Sequence, residues 1–208
     1  MEKMNYKELK DIIKDNAINQ LNIIMDNWCK NYNNNYTGGK MRCERGNDIE
    51  KYTIDVINNI GKILKINLIA INGNKDKKDL KIITKDKEFI KKHQVDIHIY
   101  LDEIFIAVIE CKAYLDSCYY VRACDDFKLF KKFGYNIKNY IFTLENSIDE
   151  DTIIFTDYIN DNICDNIFYM LDGKRSSINP IYNSKFKKSI NLNNLNNFIE
   201  VIYSLCNI

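Results

Sequence analysis

Proline occurs once in the 208 residues, histidine twice, and none of the seven cysteines stands in a CxxC pair. An odd cysteine count without paired spacing does not read as a disulfide framework or a zinc site. His93 and His98 are too few for a histidine-rich metal centre. No apolar run approaches the ~20 residues needed to cross a bilayer. The segment Met1 to Lys14 is charged and lacks the apolar core of a signal peptide. The expectation is a cytoplasmic protein with reduced thiols and no membrane partner. The net charge is only +1, so bulk charge does not announce a nucleic-acid binder either. Lys, Asn and Ile are used heavily, and runs such as Asn33-Asn34-Asn35 read as compositional drift.

What is present is an ordinary globular composition, 46% hydrophobic and 28% charged, long enough to bury a core. Charge is unevenly spread. Lys75 to Lys92 holds eight Lys against four acids, and Phe142 to Gly173 holds eight acids with no Lys or Arg. Lys174 to Lys188 then holds five basic residues and no acid. Such polarity can set a basic face against phosphate. Its plain alternative is a set of solvated faces.

Apolar spacing predicts a helix over Tyr6 to Tyr32, through Leu9, Ile13, Ala17, Leu21, Ile24 and Met25. A loop is expected from Asn33 to Gly46, and a second helix from Gly46-Asn47 onward, with Ile49, Val56, Ile57 and Ile60 on one face. The period then changes. Ile66 to Ile71, Leu80 to Thr84, Val95 to Leu101, Ile104 to Ala113 and Tyr140 to Leu144 read as strands. Helices are expected over Tyr119 to Phe133, Phe155 to Leu171 and Leu192 to Leu205. The order fits an α/β (α+β) fold, a central mixed β-sheet flanked by helices.

The triplet acid, any residue, Lys occurs six times: at Glu8, Asp76, Asp79, Glu110, Asp126 and Asp172. Five of these sit in polar or helical settings and read as surface charge. Glu110-Cys111-Lys112 alone ends a strongly apolar run, Ile104 to Ile109. Burying a charge there is costly unless it is paired or bound to a metal. Asp96 interrupts the preceding strand in the same way. A two-residue turn at Asp102-Glu103 would set Asp96 opposite Ile109. A three-residue turn, or an equivalent bulge, would set it opposite Glu110.

An acid on one strand followed by acid-any-Lys on the next resembles the PD-(D/E)xK nuclease superfamily, and type II restriction endonucleases within it. Val95 stands where the motif's name has Pro. The likeness runs from about Gly46 to Leu144. It implies a restriction-endonuclease-like sheet in a single domain over 1–208: an N-terminal helix and loop (1–45), a catalytic core (46–144) and C-terminal helices (145–208). It implies Asp96, Glu110 and Lys112 as catalytic residues, with Mg²⁺ held by Asp96, Glu110 and the backbone carbonyl of Cys111. Double-stranded DNA would be the substrate, cut at a short specific site by a homodimer. The alternatives are a Holliday-junction resolvase or repair nuclease of the same fold, or a non-catalytic DNA-binding protein.

Related nucleases carry a further acid on a helix ahead of the sheet, which here would be Glu50. Glu50 is equally the third residue of a capping box begun by Asn47. Lys40, Arg42, Arg45, Arg122, Lys174 and Arg175 are candidate DNA contacts. Asn179 and Asn183 are conceivable base readers. His98, two residues from Asp96, reads as a packed side chain or a neighbour of the site.

Overall fold

In the computed structural model, residues 6–33 and 39–206 are described. Two long helices, α1 (Tyr6–Asn33) and α2 (Gly39–Leu64), precede the sheet. β1 (Leu68–Asn72) leads through a short 3-10 turn into a two-stranded ribbon, β2 (Lys78–Ile83) and β3 (Glu88–His93). β4 (Ile97–Leu101), β5 (Ile104–Leu115), α3 (Ser117–Lys132), β6 (Lys138–Asn146), α4 (Glu150–Ile159), β7 (Asn166–Tyr169) and α5 (Leu192–Ser204) follow. The main sheet has five strands in the order β1-β4-β5-β6-β7. The β1–β4 and β4–β5 pairs are antiparallel, while β5, β6 and β7 are parallel. Parallel neighbours need crossovers, which α3 and α4 supply. This is the mixed sheet flanked by helices that the element order predicts.

The sheet separates two apolar layers. On one side Leu21 and Met25 of α1, Ile57 and Ile60 of α2, and Phe198 and Ile202 of α5 meet Ile97, Ile99, Ile109 and Phe142. On the other, Tyr120, Cys124, Phe127 and Phe130 of α3 meet Val108 and Ile141. α3 is capped by the Asp116 carboxylate, which accepts from the Tyr119 amide at 2.9 Å, and ends at Gly134 with φ +85°.

Three details differ from the sequence expectation. α2 starts at Gly39 instead of Gly46, so the expected loop residues from Gly39 onward are helical, and the 45/46 division falls inside a helix. The buried residues Met41, Arg45, Ile49, Tyr52 and Val56 recur at helical spacing, so its inward face begins upstream of Gly46. The helix expected over Phe155 to Leu171 is α4 followed by β7. Asp161 and Asn162, both at positive φ, break the chain between them, and the apolar run after them completes the sheet edge. The 145–208 segment is therefore not all helical. β3, whose mostly charged residues carry no strand signal, pairs with β2.

Of the turn geometries left open by the sequence, the structure has the two-residue turn with a bulge. The β4–β5 turn has two residues, Asp102 and Glu103, at φ 48° and 69°, with Leu101 facing Ile104. Positive φ at both positions is the mirror-image turn that matches strand twist. A bulge between Ile99 and Tyr100 then shifts the ladder by one residue, so that Ile97 faces Ile109. Asp96, just ahead of β4, thereby comes level with Glu110.

Candidate active site

Three charged side chains converge on the carboxyl half of β5. The Lys112 ammonium donates to Asp96 Oδ2 at 3.2 Å, to Glu110 Oε1 at 2.5 Å and to the Cys111 carbonyl at 3.0 Å. Asp96 is held twice more by backbone. Its carboxylate accepts from the Cys111 amide at 2.8 Å, and its carbonyl accepts from the Gly73 amide at 2.9 Å. That second contact needs glycine, because a Cβ on Gly73 would lie 1.8 Å from the Val95 carbonyl oxygen.

Glu50 reaches the same place from α2. With the helix beginning at Gly39, Asn47 and Glu50 lie inside it, and the capping-box reading of Glu50 is overturned. Its carboxylate accepts from Asn72 Nδ2 at 2.8 Å. Burial first, then the Asp96 charge, push the Glu50 carboxyl up to about 7. Burial and Asp96 likewise raise Glu110 above the ordinary carboxylate range. For Lys112 burial works against the charge, but Glu110 and Asp96 outweigh it and hold the proton more tightly than in a free lysine.

Among the described residues no three His, Cys, Asp or Glu side chains stand ready as a metal cage. The Lys112 ammonium bridges two of the acids instead. Yet the donors are carboxylates and a carbonyl, hard oxygens of the kind that suit Mg²⁺. Asp96, Glu110, Glu50 and the Cys111 carbonyl are the groups that could hold a divalent cation.

Of the basic candidates, Arg45 and Arg122 line the cleft over Asp96 and Lys112. Arg175 stacks its guanidinium 3.9 Å from the Tyr114 ring centre, and Tyr114 lines the same cleft. Lys174 is exposed and points toward Asp149. The side chains of Lys40 and Arg42 lie outside the described residues. Asn183 uses its side chain to accept from the Lys185 amide, and Asn179 is exposed. His98 is fully buried against Phe105 and Phe130, with Nδ1 3.0 Å from Asp76. Asn72 and Gly73, which hold Glu50 and Asp96, carry no signal in the sequence beyond that of an Asn-Gly turn.

An alignment 114 positions long, covering 49% of this chain, is 29% identical to the type II restriction enzyme DdeI of Desulfomicrobium norvegicum (strain DSM 1741 / NCIMB 8310). It spans 47% of that enzyme, so the chain matches about half of its relative's length. A chain of the native BbvCI A2B2 tetramer aligns over 98% of this chain and 92% of its own, at 10% identity and a TM-score of 0.42. Strand order and packing, not that likeness, define the fold. No family model matches the sequence. In sequence, the chain is type II restriction-endonuclease-like along about half its length.

Proposed function

We propose that this protein is a Mg²⁺-dependent endonuclease that hydrolyses double-stranded DNA at a short specific site. The observation that carries the reading is the convergence of Asp96, Glu110 and Lys112 on the carboxyl half of β5, with Glu50 beside them. Asp96, Glu110 and the Cys111 carbonyl would hold the metal, with Glu50 alongside. Bound there, Mg²⁺ supplies neutralisation of charge at phosphorus and a more acidic water. Lys112, kept charged by its two acids, orients the attacking water and donates to a phosphate oxygen. Glu50, which lines the same cleft, takes up the water's proton. A P–O bond forms to that water, and the bond to the sugar oxygen breaks as that oxygen takes a proton from solvent water, the resulting hydroxide being neutralised by the proton Glu50 gives back. Arg45, Arg122, Lys174 and Arg175, with Lys40 and Arg42, are the proposed DNA contacts. One such site cuts one strand, so a homodimer on a palindrome is the proposed assembly.

Incubation with phage DNA and Mg²⁺ tests the proposal. Discrete fragments that vanish on chelation are expected. A smear would replace it with a non-specific nuclease, and intact DNA would refute it.

A further inference from the structure

Arg45 is 8% exposed, and its Nε is buried without a hydrogen-bond partner. Among the described residues no hydrogen bond or carboxylate ion pair holds it; its guanidinium rests 4.8 Å from the Tyr182 ring centre. The acid whose charge acts on it is Glu145, which pairs with Lys188 at 2.8 Å. Arg175, over Tyr114, adds a further cation that opposes Arg45's own charge. Glu145 is thus already matched by Lys188, and Arg45 lines the cleft together with Glu50, Asp96 and Lys112. A buried guanidinium without an anion is costly, and it sits beside the site where the substrate's anions would arrive.

We infer that Arg45, backed by Arg175, is a built subsite for a DNA backbone phosphate next to the one presented to Asp96, Glu110 and Lys112. The inference rests on the nuclease reading above and deepens it. The planar fork of an arginine suits two phosphate oxygens at once. Tyr182 and Tyr114 supply flat walls that hold the two guanidinium planes. The missing counter-charge thus comes with the substrate.

The test is binding of a short fluorescent duplex by the full chain, with Ca²⁺ replacing Mg²⁺ to prevent cleavage, across a salt series. Arg45→Met keeps the aliphatic stem and removes the charge. Its log affinity should fall less steeply with log salt, by about 0.9, because one phosphate fewer is neutralised. Affinity should drop about tenfold, while the free protein melts at the same or a higher temperature, because an unpaired buried charge has gone. Arg45→Lys should restore the slope but only part of the affinity. A lower melting temperature with an unchanged slope would make Arg45 a structural residue and overturn the inference. Inorganic phosphate raising the melting temperature of wild type but not of Arg45→Met, with equal duplex slopes, would make this a free-phosphate site and overturn it too. Failure of wild type to bind the duplex would remove the nuclease reading, and this inference with it.

Discussion

The β2–β3 ribbon and the β4–β5 hairpin are both antiparallel pairs, and each carries an acid-any-Lys triplet. In β2, Asp79 pairs across the ribbon with Lys92 at 2.5 Å and Lys81 with Glu88 at 3.4 Å. Asp79 and Lys81 keep 39% and 58% of their side-chain surface in water. In β5, Glu110 and Lys112 keep 14% and 22%, and they share the second acid, Asp96. Water screens the first set, and exposed pairs of that kind contribute about 0–1 kcal/mol. Around the second set burial forces the charges to answer one another, which raises Glu110 and Glu50 and fixes Lys112 as a cation. The triplet becomes a coupled charge cluster only where the fold removes water and adds a third charged group.

The sharpest break of this comparison is exchange of the triplets' own residues. Asp96→Ala or Glu110→Ala should abolish cleavage and largely spare duplex binding. Lys112→Ala should slow single-turnover cleavage by about 10²–10⁴-fold, the range of a positioned acid–base group. Asp79→Ala and Lys81→Ala should cut at the wild-type rate, measured under the same saturating enzyme.

A smaller effect sharpens the same contrast through pH. Folding raises the Glu50 carboxyl from its ordinary range to about 7, so between those values the folded chain binds more proton than the unfolded one. Stability from this group is therefore lost as pH rises toward and past 7. Without metal, Glu50→Gln should melt with wild type near pH 5 and above it near pH 8. The Asn72 amide can still donate to the new side chain. Cleavage by Glu50→Gln should be strongly reduced. Equal melting curves at both pH values would detach Glu50 from the acid cluster.

The smallest effect concerns stability in the exposed ribbon. Asp79→Ala should shift unfolding free energy by no more than about 0.5 kcal/mol, as surface changes usually do. Chemical denaturation measures it, and a larger loss would show that the ribbon's ion pairs hold the fold.

The architecture and the main acids of the candidate site are legible in the chain before it folds. Period-3.6 and β-branched runs predict α1, β5, α3, β6 and α5, and a charged triplet ending an apolar strand singles out Glu110 and Lys112 among six such patterns. These signals are local: each depends on what a few neighbouring side chains must bury. The register is set only in the packed molecule, through a bulge between Ile99 and Tyr100 that no propensity marks. Packing also turns Glu50 toward Asp96 instead of a helix cap, brackets the acids with Asn72 and Gly73, and buries Arg45 with no ion pair among the described residues. Those outcomes depend on which distant groups share one dry cleft. Burial and charge act through space, and spacing along the chain does not encode them.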